Sequence, residues 1–407
     1  MPMVAITSGS YCGADQVAPA VARDLGCQLI DDNALIAKVI EPAPYPEAKL
    51  RKALYEKPGV FNNFSHEKER CLAWLKIVLG RLAKESDLVY LGLAGMMIPQ
   101  DIGHVLRVCL IADTRSRAED LAVQSGIDVK EALERVRHED EPAMLLASYL
   151  GHPDPWDAGL YDIVIPMDKT TPEEAQALIR QHAHSGQLLT TPKSLAAASD
   201  FIVAARVELA LLDKGHNTRD LSVAVRQGAT VITINKKVMR LSYLEEELKR
   251  LVGQVEGINS VETEVGPGYY QADVYLKTDF ELPSKVLLVD DEREFVRTLS
   301  ERLLMREIGT AVIYDGEQAL NLMAEDEPEV VVLDLKMPGI DGIEVLRRLK
   351  RDHPEVEVII LTGHGSAKNR QTCLDLGAFA YLEKPVDVDE LSQTMREAYN
   401  KIRSRKA

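Results

Sequence analysis

At 407 residues the chain is too long for one ordinary core, and at roughly 150 residues per domain it predicts two or three, with three expected from the pattern along the chain. A content of 46% hydrophobic and 28% charged residues excludes disordered and fibrous classes, and a formal charge of −16 argues against non-specific binding to nucleic acid or an anionic membrane, because most of the surface would repel a polyanion. No basic, apolar leader opens the sequence and no window reaches the ~18 apolar residues of a membrane span, while the cysteines Cys12, Cys27, Cys71, Cys109 and Cys373 are scattered with no C-x-x-C pair, which suits reduced thiols in a cytoplasmic protein.

Residues 1–185 alternate strand-like and helix-like segments. A strand over VAITSGS is followed by a helix from Asp15 to Leu25, the strand CQLID, a long helix across Glu67–Glu85, the strands LVYLGLA and VLRVCLIAD, helices through 115–148, the strand YDIVIPMD and the helix TPEEAQALIRQHA. That order predicts an α/β domain with a parallel, doubly wound sheet. The polar, small and aperiodic stretch over 186–199 predicts a linker.

Residues 200–280 read as a small α/β module: a helix over FIVAARVELALLDKG, strands LSVAVRQG and TVITINKKV, a helix over YLEEELKRLVGQV, and a return through GINSVETEVG to ADVYLKT. The glycine of VRQGATV suits a tight hairpin turn. The module carries no nucleophile–base pair and no metal-ligand spacing, so a spacer or protein-docking role is its default reading.

From Lys285 the chain alternates βαβα to its end, as five strands and five helices. KVLLVDDE places Asp290 and Asp291 after one strand, VVVLDLKMPG ends a second at Asp334, VIILTGHG ends a third near Thr362, and YLEKP ends a fourth at Lys384. In an open parallel sheet the C-terminal strand edges line one crevice, so these five polar residues converge there. Three adjacent carboxylates repel one another unless a divalent cation joins them, and all-oxygen ligands suit Mg²⁺. Asp334 is then placed to attack phosphorus, Lys384 to neutralise the equatorial oxygens, and Thr362 to bond a phosphoryl oxygen, a movement that lets Tyr381 turn inward.

The motifs DD, DLKMPG, LTGHG and EKP, in this order over 285–407, resemble the response-regulator receiver family. The resemblance implies a flavodoxin-like (βα)5 fold and phosphoryl transfer to Asp334 from a histidine kinase or phosphotransfer protein. It also implies metal ligation by Asp290, Asp291, Asp334 and the backbone carbonyl of Lys336, and a switch formed by Thr362, Tyr381 and Lys384. Lys336 and His364 would border the phosphoryl group. The altered face would change contacts with the preceding modules or with a second copy in a homodimer. No helix-turn-helix flanks these motifs, so DNA is not an expected partner, and membrane binding is not expected.

The turn GSYCGADQ stands where a phosphate-binding loop belongs, with Gly9 and Gly13 as its candidate phosphate-facing residues. The P-loop pattern would put Gly, Lys and Ser or Thr where the chain has Ala14, Asp15 and Gln16. Together with LGCQLIDDNALI, LVYLGLAG, VLRVCLIADTRSRAEDL and GHPDPWDAGLYDIVIPMDKTTPEEAQALI, this segment resembles the cytidylate kinase-like family over 1–185. The resemblance implies a P-loop kinase fold with ATP and CMP as candidate ligands. Leu93 stands where the family's G-R arginine would meet substrate phosphate, and Pro142 about where a lid arginine would be. With three cationic groups gone, a pseudo-kinase is the expected reading. Arg115 and Arg117, in TRSRAED, are the remaining candidate lid cations. VELALLDKG, LSVAVRQGATVITINKKV and LEEELKRLVGQVEGINSVETEVG resemble the BON domain family. The rival readings are a phosphorylation-regulated nucleoside-monophosphate kinase and a docking scaffold or phosphate sink.

Overall fold

The computed structural model describes residues 3–406 other than 86, 186–187, 239, 271–281, 307 and 364–365. The strand expected at 272–278 and His364 lie outside the described residues. Two compact units are found where three were expected. One comprises Met1–Lys57, Lys68–Leu211 and Thr218–Val274, the other Pro58–Glu67, Leu212–Asn217 and Tyr275–Ala407.

The first unit is built on strands β1 (Met3–Ser8), β2 (Gln28–Asp31), β3 (Leu88–Leu91), β4 (Val105–Ile111) and β5 (Ile163–Pro166), all parallel in the order β2-β3-β1-β4-β5. Successive strand residues point to opposite faces, so β1 serves two cores. Val4 and Ile6 join Val17 and Val21 of helix Ala14–Leu25 and Ile179 of helix Pro172–Ala183. Met3 and Ala5 join Leu72, Leu75 and Leu79 of helix Glu67–Glu85. With both faces covered, the strands can be apolar throughout, as parallel strands generally are.

The same unit contains a mixed three-stranded sheet of β6 (Leu221–Arg226), β7 (Ala229–Ile234) and β8 (Ser260–Val265), with β7 central, antiparallel to β6 and parallel to β8. The hairpin expected at VRQGATV is present. Gln227 (φ 52°) and Gly228 (φ 81°) are both left-handed between the paired Arg226 and Ala229, as a two-residue turn matched to strand twist requires. A Cβ on Gly228 would lie 2.4 Å from Asn259 Nδ2.

The linker expected over 186–199 is helical from its seventh position, because helix Pro192–Leu212 begins there. Thr191 and Ser194 exchange backbone-to-side-chain hydrogen bonds at 3.0 and 3.1 Å, capping its start, with proline at the first helical position where no N–H is needed. Ala198 and Phe201 enter the first sheet's core, and Ile202 and Ala205 pack with Ile77. The middle module therefore does not separate from the first domain, since one helix serves both. Small alanines that look linker-like in sequence are also the best helix formers.

The second unit is a five-stranded parallel sheet, β9 (Val286–Val289), β10 (Thr310–Ile313), β11 (Val330–Leu333), β12 (Glu357–Thr362) and β13 (Ala380–Glu383), in the order β10-β9-β11-β12-β13. Leu287, Val289, Val331 and Leu333 face helices Gly316–Glu325 and Gly342–Asp352, while Val286, Leu288, Val330 and Val332 face helices Arg293–Leu304 and Val388–Lys406. This is the flavodoxin-like arrangement expected for 285–407. Phe61, from the segment 58–67 that clusters with this unit, is fully buried among Leu322 and Met323. Its N–H donates to Asp326 Oδ2 at 3.3 Å, and Lys285 Nζ donates to Asp326 Oδ1 at 2.8 Å. Among the described residues no helix is long and apolar enough to cross a membrane.

Candidate functional site

The strand order reverses between β9 and β11, and the crevice outside the C-terminal ends at such a switch point is where polar groups gather in open α/β sheets. Asp290 follows β9 directly and Asp334 follows β11 directly, and Asp334 N–H donates to the Val289 carbonyl at 2.9 Å, which locks the two strand ends in register. Lys384 follows β13, its N–H bonded to the Thr362 carbonyl at 3.0 Å. Burial follows from this placement: Asp290, Asp334 and Thr362 are all buried.

The side chains meet. Lys384 Nζ lies 2.7 Å from Asp290 Oδ2, 2.7 Å from Glu292 Oε1 and 3.8 Å from Asp334 Oδ2, and 4.4 Å from the centroid of the Phe295 ring. Asp334 Oδ1 accepts from Leu335 N–H at 2.8 Å, which fixes the carboxylate plane with Oδ2 on the lysine side. Asp290 Oδ1 accepts from Glu292 N–H at 2.9 Å. A Cβ on Gly342 would lie 2.3 Å from the Asp334 carbonyl oxygen, so only glycine lets the helix start approach the strand end this closely.

Burial raises the Asp290 carboxyl above its ordinary range, and the hydrogen bond from Lys384 offsets only part of that. For Lys384, burial pulls the ammonium down, but hydrogen bonds to Asp290 and Glu292 outweigh it and leave the pKa raised. A protonated Lys384 is therefore held against three carboxylates.

The structure brings Asp290, Asp334 and Lys384 together and adds Glu292, which the sequence reading did not single out. Carboxylate oxygens of Asp290, Glu292 and Asp334 all lie within 4.8 Å of one another. Asp291 is not in that group. It lines an adjoining cavity of about 590 Å³ with Leu335, Lys336 and Asp341, because the turn after β9 sends consecutive side chains to different sides. Tyr381, expected to turn inward on phosphorylation, is already inside. It is 7% exposed in the apolar cluster with Leu335 and Cys373, beneath the Arg370 guanidinium at 6.0 Å from its ring centroid.

In the first unit, the turn after β1 leads through Gly9 and Gly13 (φ 70°) into helix Ala14–Leu25. Asp15, in the place of the basic loop residue, is exposed in the first helical turn. Of the two candidate lid cations, only Arg117 reaches the loop, where its Nη1 lies 3.0 Å from the Ser10 carbonyl oxygen. Arg115 does not. It is 82% exposed and pairs with Glu119 at 2.9 Å. Pro142 lies inside helix Val129–Tyr149. Leu93 N–H donates to buried Asp32 at 2.8 Å, so that position supports the fold through its backbone.

Comparison with known proteins agrees with both halves. Residues 286–396 match the response regulator receiver domain, and residues 3–169 match the cytidylate kinase-like family. Response regulator MprA of Mycolicibacterium vanbaalenii is 38% identical over 115 residues, covering 28% of this chain and 50% of that protein. The probable transcriptional regulator ycf27 of Guillardia theta is 40% identical over 121 residues, covering 30% of this chain and 47% of that one. The chain thus spans about half the length of the curated relatives it matches. Among solved structures, a Francisella response regulator receiver domain is 34% identical, covering 29% of this chain and 98% of that chain, with a TM-score of 0.28. The chain therefore carries a two-component response regulator receiver domain over 286–396 and a cytidylate kinase-like domain over 3–169.

Proposed function

We propose that this protein is a response regulator in which Asp334 accepts a phosphoryl group from a histidine kinase or phosphotransfer protein. The observation that carries the reading is the meeting of Asp290, Asp334 and Lys384 at three parallel strand ends. Asp334 would attack in line, forming the new O–P bond as the phosphohistidine P–N bond breaks and the imidazole leaves. Lys384 would shift from Asp290 and Glu292 toward the new phosphoryl oxygens, and Thr362, buried at the end of β12, would supply a hydroxyl to them.

The donor set fits a hard divalent cation, with three carboxylates offering oxygens within 4.8 Å against a single ammonium. Asp290, Glu292 and Asp334 would hold Mg²⁺, with Asp291 and the Lys336 carbonyl on the adjoining cavity. When bound, Mg²⁺ supplies positive charge to the transferring group.

The domain over 3–169 acts in this reading as a non-transferring relative of nucleotide kinases, and the BON-like module as a spacer or protein-docking element. Output then runs through protein contacts, including a homodimer through the receiver, rather than through DNA. The test is incubation of the full chain with Mg²⁺ and acetyl phosphate, followed by intact-protein mass spectrometry. Wild type should acquire one phosphoryl group and Asp334→Asn none. An equal phosphorylated fraction in the variant would refute the assignment. ATP- and CMP-dependent turnover by the full chain would overturn the pseudo-kinase part alone.

A further inference from the structure

The loop Gly9–Gly13 has the position of a phosphate cradle, after the first strand and before a helix, where backbone N–H groups beyond Gly9, whose own N–H donates to the Leu110 carbonyl at 2.9 Å, can face an anion. One of those groups is already taken. Ser10 N–H donates to Asp140 Oδ1 at 2.8 Å, across 130 positions of sequence. The other carboxylate oxygen, Oδ2, lies 2.8 Å from Arg117 Nη1. Arg117 also donates to the Ser10 carbonyl and hydroxyl at 3.0 and 3.3 Å. The side chains of Arg117 and Asp140 are 3% and 10% exposed. A carboxylate thus makes the two contacts, with a loop N–H and with a guanidinium, that a phosphate oxygen makes in such loops.

Beside it, Tyr11 holds a left-handed backbone (φ 58°), its hydroxyl donates to Glu139, and the Arg135 guanidinium lies 5.9 Å from its ring centroid. Helix Val129–Tyr149 therefore clasps the loop through two consecutive acids. Asp140 and Arg117 also border a cavity of about 1140 Å³, whose lining sets Arg115, Lys130 and Arg137 against Asp113, Glu141 and Asp154, so open space adjoins the plug.

We propose that Asp140 is a built-in anion that seals the Gly9–Gly13 loop, so that phosphate-bearing ligands are excluded by competition rather than by lack of binding groups. This deepens the pseudo-kinase reading, on which it rests. A tethered carboxylate competes at high effective concentration, and a ligand admitted only in a minor open state binds more weakly by the open fraction.

The experiment is calorimetric titration of inorganic pyrophosphate into the full chain, comparing wild type, Asp140→Ala, the matched control Glu139→Gln, and the double variant Asp140→Ala/Arg117→Gln. Asp140→Ala should bind roughly 30-fold more tightly than wild type or the control, on the scale of one charge-assisted hydrogen bond, and the gain should vanish in the double variant. Equal binding by wild type and Asp140→Ala, or none by a folded Asp140→Ala, overturns the proposal. Hydrogen exchange of the Gly9–Gly13 segment in the unaltered chain decides independently if Asp140→Ala does not fold. Slow exchange unaffected by pyrophosphate supports the seal, and fast exchange overturns it. Turnover of ATP and CMP by wild type would refute the pseudo-kinase reading, whereas wild-type pyrophosphate binding as tight as that of Asp140→Ala, without turnover, would refute the seal alone.

Discussion

Lys384 Nζ sits 2.7 Å from Asp290 Oδ2 but 3.8 Å from Asp334 Oδ2, so the lysine rests against the acid beside the proposed phosphoacceptor. A phosphoryl oxygen on Asp334 would compete with Asp290 and Glu292 for this ammonium, and its transfer would be the local event that couples chemistry to shape. Lys384→Ala should retain some acylation while losing the coupled response. Hydrogen exchange over β13 and helix Ala367–Asp375, with and without phosphodonor, checks this. A wild-type change in the variant would rule the coupling role out.

Tyr381 has a buried hydroxyl with no hydrogen-bond partner among the described residues, and burial raises its pKa. An unsatisfied buried hydroxyl costs about 1–3 kcal/mol. Tyr381→Phe deletes the atom that carries that cost and keeps the ring. Chemical denaturation of the receiver transition should show a variant as stable as wild type or up to about 1 kcal/mol more so. A loss of the same size would show that the hydroxyl is bonded in solution.

Glu357 opens β12 fully buried, with Oε1 2.8 Å from Lys401 Nζ and 3.0 Å from Arg405 Nη1, and Oε2 3.5 Å from Lys350 Nζ. It anchors the last helix to the N-terminal end of β12. Removing one partner of a fully buried pair costs about 3–5 kcal/mol. Lys401 and Arg405 are 42% exposed and can turn to water, so Glu357→Gln should cost less, about 2 kcal/mol. A denaturation midpoint unchanged from wild type would contradict the anchor.

Asp32 is buried at the first sheet's edge, where it accepts from Tyr90, from Tyr55 Oη at 2.8 Å, and from the N–H groups of Leu93 and Ala94 at 2.8 and 3.2 Å. Burial raises its pKa from the ordinary 3.8 despite those donors. The folded state therefore holds the proton more tightly than the unfolded chain. The associated stability is fully present below about pH 4 and is lost as pH rises through the raised folded pKa. Thermal unfolding of the first unit between pH 4 and 8 should show this decline in wild type and a flatter profile in Asp32→Asn. Identical slopes would assign the dependence to other groups.

The receiver was legible because its signals are local. Each acid, threonine or lysine ends an apolar strand, and parallel topology then forces those ends together. Glu292 and Asp140 were not legible, since nothing in DDE marks which of three consecutive acids turns toward Lys384, and the Ser10–Asp140 contact spans 130 positions. The helix beginning at Pro192 was hidden by composition, as TTPKSLAAASD is small and polar yet holds both a cap and good helix formers. The single unit made by the first domain and the middle module follows from packing of that helix, which no periodicity of the flanking segments announces.

The burial of Phe61 beside Asp326 sets an order on synthesis. The two residues are 265 positions apart, and at roughly 5–20 residues per second on the order of half a minute passes between their emergence from the ribosome. Throughout that interval a phenylalanine destined for the last core to form stays exposed to the cell's chaperones and proteases. A receiver excised as 285–407 would never acquire it, and would keep an apolar socket open beside Leu322 and Met323.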